Sequence, residues 1–216
     1  MKNVLIGQSG GPSAVINASL AGAVRAARQS KAVGRVYGAL NGIEGFLQRR
    51  VVDLGAQLPT EQDLARLCAT PAMALGSCRR KLPAPPHEVY GQILALFKEY
   101  NIGYFFYIGG NGSMDTVDKI AAFLAAQGEE IRCIGIPKTI DNDLAETDHT
   151  PGFGFAANFI ANTMAQIICD SSVYNRPSAP PLWKLWAATR AGLRRRRRWR
   201  AKKAAGRGRT WCFCPR

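Results

Sequence analysis

Tyr104-Phe105-Phe106-Tyr107-Ile108-Gly109-Gly110-Asn111-Gly112-Ser113 sets five apolar residues with strong β preference directly against a glycine-rich turn. Apolar residues at helical spacing resume over about 114–126, so the segment reads strand, loop, helix. The same order appears upstream. Val4-Leu5-Ile6 reads as a strand and Gln8-Ser9-Gly10-Gly11-Pro12-Ser13 as a turn. Residues 15–28 then carry Val15, Ile16, Leu20 and Val24 on one helical face. Downstream, a strand over 131–136 runs into Pro137-Lys138-Thr139-Ile140-Asp141-Asn142-Asp143, and a helix is expected over about 156–173.

Between these units, residues 35–40 read as a second strand, 89–100 as an amphipathic helix, and 41–85 as irregular chain rich in turn formers. Strands that are apolar throughout, alternating with helices, imply a doubly wound, mostly parallel α/β sheet covered on both faces. In such a sheet ligands bind beyond the carboxyl ends of the strands, where every loop quoted above lies.

Charge divides the chain in two. Of the 29 Lys and Arg, 13 fall in the 38 residues from Ala179 onward, with no Asp or Glu among them. Residues 1–178 therefore hold 16 basic against 15 acidic side chains, the balance of an ordinary globular body. All four tryptophans (Trp183, Trp186, Trp199, Trp211) lie in the basic tail. The apolar fraction of 47% excludes a disordered body, and no apolar run has the length of about 20 residues needed to span a membrane. The opening apolar stretch is too short for a secretory signal. Cys68, Cys78, Cys133 and Cys169 lack framework spacing. Together these features imply a cytoplasmic protein with no membrane partner.

The glycine loops carry the chemistry. Without a Cβ, Gly10 and Gly11 let backbone approach a phosphate closely, and the helix that follows offers free N–H groups and the positive end of its dipole. Gly110, Gly112 and Ser113 repeat that device, so two such loops in one sheet favour a phosphorylated ligand; as turns alone they would serve only tight packing. Neither loop has the dinucleotide or P-loop spacing. Gly7-Gln8-Ser9-Gly10-Gly11 also fits the nucleophile-elbow pattern, which would make Ser9 a hydrolase nucleophile served by His87 or His149. Asp141 and Asp143, two residues apart after a strand, suit a base beside a water-mediated Mg²⁺ site, or else a solvated turn. Lys138 adds a point charge matched to phosphate, and Arg79, Arg80 and Lys81 add cationic reach.

Taken together the motifs resemble the phosphofructokinase family. The resemblance runs through residues 10–17, Asn41-Gly42-Ile43-Glu44-Gly45, Gly76-Ser77-Cys78-Arg79, residues 109–113, residues 137–143 and His149-Thr150-Pro151-Gly152-Phe153-Gly154, in family order over about 1–178. It implies a Rossmann-like, donor-binding lobe of that fold with the second lobe truncated. The implied glycolytic reaction moves a phosphoryl group from pyrophosphate or ATP to the 1-hydroxyl of fructose 6-phosphate, with Mg²⁺, in a protein that is a homo-oligomer when intact.

Carried over by position, Asp141 is the base and Lys138 its catalytic partner, while Thr139 and Ile140 join Asp141 at the substrate. Gly11, Arg79, Gly110, Gly112 and Ser113 hold the donor, and Asn111 and Asp143 stand at the metal position. Asn111 replaces the family's usual aspartate, which weakens direct ligation there. Lys138 resembles the pyrophosphate users, whereas glycine at 112 is the ATP-permissive residue. Because the lysine acts on the leaving phosphate, pyrophosphate is the expected donor.

Beyond Ser178 the family pattern stops. Five consecutive arginines (Arg194 to Arg198), tryptophans and Cys212-Phe213-Cys214 take its place, which read as a nucleic-acid arm, a weak two-ligand metal motif, or a shifted reading frame. With GC-rich codons read one base earlier from Leu182, the tail becomes an alanine-rich sequence containing Gly-Arg and Ala-Gly-Trp elements that resemble the family's continuation. The frameshift is the expected origin, giving a disordered tail over 179–216 and a chain that binds its donor weakly and turns over little or not at all.

Overall fold

The structure, a computed structural model, describes residues 1–171, 173, 202–203 and 209–210. Five strands, β1 (Lys2–Gln8), β2 (Val33–Ala39), β3 (Val51–Asp53), β4 (Ile102–Gly109) and β5 (Arg132–Pro137), form one sheet in the order β3-β2-β1-β4-β5. The pairs β1–β2, β1–β4 and β4–β5 are parallel and β2–β3 is antiparallel. The expected doubly wound, mostly parallel sheet is therefore present.

Alternation along β1 explains why both faces are covered. Leu5 points into a core with Phe46, Tyr90, Ile93, Phe97, Phe105, Tyr107 and Ile120. Val4 and Ile6 point the other way, against Ile16, Leu20, Val24, Leu64 and Ile108. The first core is closed by α2 (Gly42–Leu47), α5 (Glu88–Glu99) and α6 (Asn111–Ala126); the second by α1 (Ile16–Gln29), α3 (Leu54–Gln57) and α4 (Glu61–Ala69). A last helix, α7 (Phe153–Ser171), follows the loop after β5.

The stretch 41–85 corrects the sequence expectation of an irregular segment, since it holds α2, β3, α3 and α4. These elements are four to nine residues at most in the helices and three in the strand, too short to display a hydrophobic period. Their caps were the legible signal. Thr60 and Asp63 form a reciprocal capping box on α4, and the Asp53 side chain accepts from Ala56 N–H. Among the described residues β5 is a sheet edge, with Ile134 45% exposed, while Phe155 and Phe159 on α7 are 86% and 71% exposed.

Of the tail, only a two-residue antiparallel ladder, β6 (Lys202–Lys203) with β7 (Arg209–Thr210), is described. The expectations of disorder, of a nucleic-acid arm and of metal binding by Cys212 and Cys214 otherwise lie outside the described residues. No described helix is long and apolar enough to cross a membrane.

Tyr107 fastens α2 to the sheet. Its ring lies in the core, its hydroxyl accepts from the Ile43 N–H at 3.1 Å, and Cys78 Sγ lies 3.6 Å away. Burial pushes the phenol well above its ordinary pKa, so it stays a neutral hydrogen-bonding group. Gly42 must lack a side chain here: it sits at φ +60°, and a Cβ would fall 2.6 Å from that hydroxyl. Replacing Tyr107 with Phe leaves the Ile43 N–H buried without an acceptor, and the expected loss is about 1–2 kcal/mol, measured as a lower urea midpoint with an unchanged slope.

Candidate functional site

After β1 the chain turns to β2 on one side of the sheet, and after β4 it turns to β5 on the other, while β1 and β4 themselves are parallel neighbours. The loops leaving β1 and β4 thus diverge at a topological switch point and open a crevice between them. Gly10 lies at its base with φ +81°. A Cβ on Gly10 would stand 3.5 Å from the Gly110 nitrogen, 3.7 Å from Lys138 Nζ and 4.0 Å from Ser113 Oγ. One point therefore gathers the glycine loop, the start of α6 and the lysine that follows β5.

Each of these groups is fixed by its element. Lys138 N–H donates to the Gly109 carbonyl at 2.9 Å, which extends the β4–β5 register by one residue, and its ammonium donates to the Gly11 carbonyl. The side chain is 8% exposed, and this burial lowers its pKa while Asp141 opposes the shift. Gly110 is the extended N-cap of α6, and Ser113 N–H bonds back to its carbonyl at 2.8 Å. The first-turn N–H groups of Asn111 and Gly112 have no acceptor within the helix and form the positive end of its dipole. Nothing lies within 4 Å of a Cβ built on Gly11 or Gly112, so both border open space.

Asp141 is half-buried at the rim. Desolvation and then the charge of Asp143 raise its pKa; the Thr139 hydroxyl and Lys138 pull it down. Thr139, itself buried, also accepts from the Asp141 N–H at 2.9 Å, which fixes the turn. Asn142 sits at φ +54° and ties this turn forward, accepting from Thr150 N–H at 2.8 Å and donating to the Asp148 carbonyl at 3.0 Å. Ile140 lies near Gly152, where an added Cβ would stand 3.7 Å from its Cδ1. The Asn111 amide donates to Asp143 Oδ2 at 2.9 Å, joining the loop after β4 to the loop after β5. No group of three or more His, Cys, Asp or Glu among the described residues forms a self-sufficient metal cage. Two neighbouring carboxylates beside glycine loops still match the way Mg²⁺ is commonly held, partly by its ligand's oxygens.

The segment before α5 completes the crevice. Ser77 Oγ donates to the Gly10 carbonyl at 2.6 Å, and the Cys78 carbonyl accepts from Ser9 Oγ at 3.2 Å and from Gly10 N–H at 3.5 Å. Arg79, exposed, follows directly. Sequence reasoning missed two participants, Gln8 and Asn17, which are buried amides linking this segment to β1 and α1. Polar residues inside an otherwise apolar strand end and helix face were the available sign. The hydrolase alternative does not survive. Ser9 is buried with its hydroxyl given to a carbonyl, His87 caps α5 through Val89 N–H, and His149 lies against the Phe153 ring.

Comparison with known proteins agrees with this fold. The family profile described as Phosphofructokinase matches residues 3–177. A pyrophosphate–fructose 6-phosphate 1-phosphotransferase from Rhodospirillum rubrum is 44% identical over 168 residues, 78% of this chain and 40% of that protein. An ATP-dependent 6-phosphofructokinase from Glaesserella parasuis is 31% identical over 178 residues, 82% of this chain and 51% of that one. The crystal structure of a pyrophosphate-dependent phosphofructokinase from Nitrosospira multiformis superposes with a TM-score of 0.68 at 42% identity, over 78% of this chain and 42% of its own. The chain thus spans roughly two fifths to one half of these relatives. The profile match over residues 3–177, together with the fold held in common with the Nitrosospira multiformis structure, makes this chain a member of the phosphofructokinase family.

Proposed function

We propose that the crevice binds a phosphoryl donor, pyrophosphate in preference to ATP, and that in a chain with the family's full architecture it passes a phosphoryl group to the 1-hydroxyl of fructose 6-phosphate. The observation that carries this reading is the convergence of Gly10, Gly110, Ser113 and the Lys138 ammonium on one point, with Asp141 three residues beyond that lysine. Greater identity to a relative named for pyrophosphate than to one named for ATP supports the donor.

Asp141 would take the proton of the sugar hydroxyl as that oxygen forms its bond to phosphorus. The bridging P–O bond breaks, and its electron pair leaves with the departing phosphate, whose charge Lys138 and the α6 N-terminus stabilise. A raised pKa makes Asp141 the better proton acceptor, and Thr139 orients it. Bound Mg²⁺, held by Asp143 together with donor oxygens, would neutralise phosphate charge; the Asn111 amide, committed to Asp143, steadies that carboxylate.

Titration calorimetry of the 216-residue chain with Mg²⁺ and pyrophosphate tests the donor site. Lys138→Met is expected to weaken pyrophosphate binding by about tenfold or more, the scale of a charge-assisted phosphate contact; an unchanged affinity would remove the lysine from the site. Gly112→Asp, which enters open space and so leaves the fold intact, is expected to weaken ATP while pyrophosphate changes little, as read by competition between the two.

The pH dependence of stability follows from Asp141. A folded-state pKa above the unfolded value means that its contribution is complete below the unfolded pKa, about 3.9, and is lost as pH rises through the folded value. At neutral pH the ionised side chain therefore works against folding. Asp141→Asn is expected to raise the thermal midpoint at pH 7, with the gain vanishing near pH 3, as scanning calorimetry across that range would register.

A further inference from the structure

Two side-chain amides beside the crevice have no role in the reaction as derived, yet they are among the least exposed polar groups described: Gln8 at 0% and Asn17 at 1%. Gln8 ends β1 and Asn17 lies in the first turn of α1, so they bracket the glycine loop. Gln8 Nε2 donates to the Ile16 carbonyl and to Asn17 Oδ1, each at 3.1 Å, and Gln8 Oε1 accepts from Leu75 N–H at 2.9 Å. Asn17 Oδ1 also accepts from Ala74 N–H at 3.0 Å, and Asn17 Nδ2 donates to the Thr70 carbonyl at 2.8 Å.

These bonds do two things at once. Those from Gln8 to residues 16 and 17 close the loop 9–15 across its two ends. Those to residues 70, 74 and 75 strap down a stretch with no helix or strand of its own, lying between the end of α4 at Ala69 and the start of α5 at Glu88. That stretch includes Ala72 at φ +65° and Gly76 at φ +69°, and besides the Gln8 and Asn17 bonds it is held by isolated backbone bonds, Asn41 N–H to the Leu75 carbonyl at 2.7 Å and Gly76 N–H to the Met73 carbonyl at 3.0 Å, not by a continuous ladder. It goes on to Ser77 and Cys78, which hold Gly10 and Ser9, and then to Arg79. A buried amide is retained at a desolvation cost that apolar residues would not incur, and a fully paired one fixes a single arrangement.

We infer that Gln8 and Asn17 are positioning residues for the phosphoryl donor: without touching it, they set the spacing between the glycine loop and Arg79 so that both meet the same ligand. The inference rests on the donor-site reading above. Its own content is mechanical, and the two fail in different ways.

The test uses the 216-residue chain with Mg²⁺ and inorganic pyrophosphate. Gln8→Met keeps side-chain length and removes every bond of that amide. Leu96→Ala, in α5 and bonded to neither amide, serves as a control for general destabilisation, the two being compared at temperatures equally far below their midpoints. Gln8→Met is expected to weaken pyrophosphate about tenfold, the scale of a lost buried hydrogen-bond set, while Leu96→Ala changes it less than about twofold. Arg79→Ala is expected to weaken the parent chain but to add less than about twofold on top of Gln8→Met, the non-additivity of residues acting as one unit.

Trypsin supplies a readout that needs no ligand. Cleavage after the exposed Arg79, Arg80 and Lys81 is expected to be about tenfold faster in Gln8→Met than in Leu96→Ala. Asn17→Ala, which removes the bonds of that amide to Gln8, Thr70 and Ala74 without burying a charge, is expected to give the same ordering. Equal effects of Gln8→Met and Leu96→Ala on affinity and cleavage, or a full cost of Arg79→Ala in the Gln8→Met background, overturns the inference. Absence of pyrophosphate binding by the parent chain overturns the donor reading and this role with it, whereas a failed strap shows in the trypsin rates while the parent still binds.

Discussion

Backbone from two parallel strands can meet around one anion only if no side-chain atom occupies the gap between their ends. Gly10 satisfies that constraint. A Cβ there would stand within 4 Å of the Gly110 nitrogen, the Lys138 ammonium and the Ser113 hydroxyl, filling the volume they enclose, and φ +81° is in any case a conformation that L side chains avoid. The order β3-β2-β1-β4-β5 makes this approach possible by setting the ends of β1 and β4 side by side while their loops run apart. The site is thus a consequence of sheet topology first and of side chains second.

The side chains then sit in environments that oppose their charges. Desolvation lowers the pKa of Lys138 and raises that of Asp141, so each ionised form is held against the preference of the fold. For the lysine the sign is opposite to the aspartate's: its contribution to stability is complete above the unfolded pKa and is lost as pH falls through the folded one. Without a ligand the ammonium is compensated by the Gly11 carbonyl and by the neighbouring Asp141 charge. A polyphosphate offers the lysine far more negative charge than a carbonyl does, so binding of the proposed donor would relieve the strain that folding tolerates. Sites tuned for chemistry commonly hold charge at such an expense of stability.

The strand–loop–helix units were legible because each strand is a short apolar run and each loop is marked by glycine. The periodicity of residues 102–126 left little freedom in assigning β4 and α6. The placement of the candidate residues Gly11, Gly110, Ser113, Lys138 and Asp141 was legible for the same reason, as they follow strands in sequence. What was not legible depends on contacts between segments distant in sequence. Elements of 41–69 are too short to show a period and are defined by caps and by packing on α1 and β2. Gln8 and Asn17 have meaning only once residues 70–75 lie against them, some 53 to 67 positions away. Ser9 misled for the converse reason: its local pattern fits a nucleophile, and only the distant Cys78 carbonyl shows that its hydroxyl is spoken for.

The two sides of the crevice are supported unequally, and that bears on what a chain of this extent can do. The donor side is braced within residues 1–140: by the β1–β4 and β4–β5 ladders, the Gln8–Asn17 bonds, the Ser77 and Cys78 contacts and the lysine–carbonyl bond. The acceptor side, residues 139–152, is secured mainly through the Asn142 side chain, and the Thr150 hydroxyl inside it is buried without a partner. Beyond it α7 presents Phe155 and Phe159 to solvent. A buried hydroxyl without a partner is found on each side, Thr150 here and Ser13 in the loop after β1, so the contrast lies in the bare apolar side chains of α7. On the reading proposed above, the described residues would brace the donor loops more fully than the loop that carries Asp141, beside which α7 leaves Phe155 and Phe159 bare.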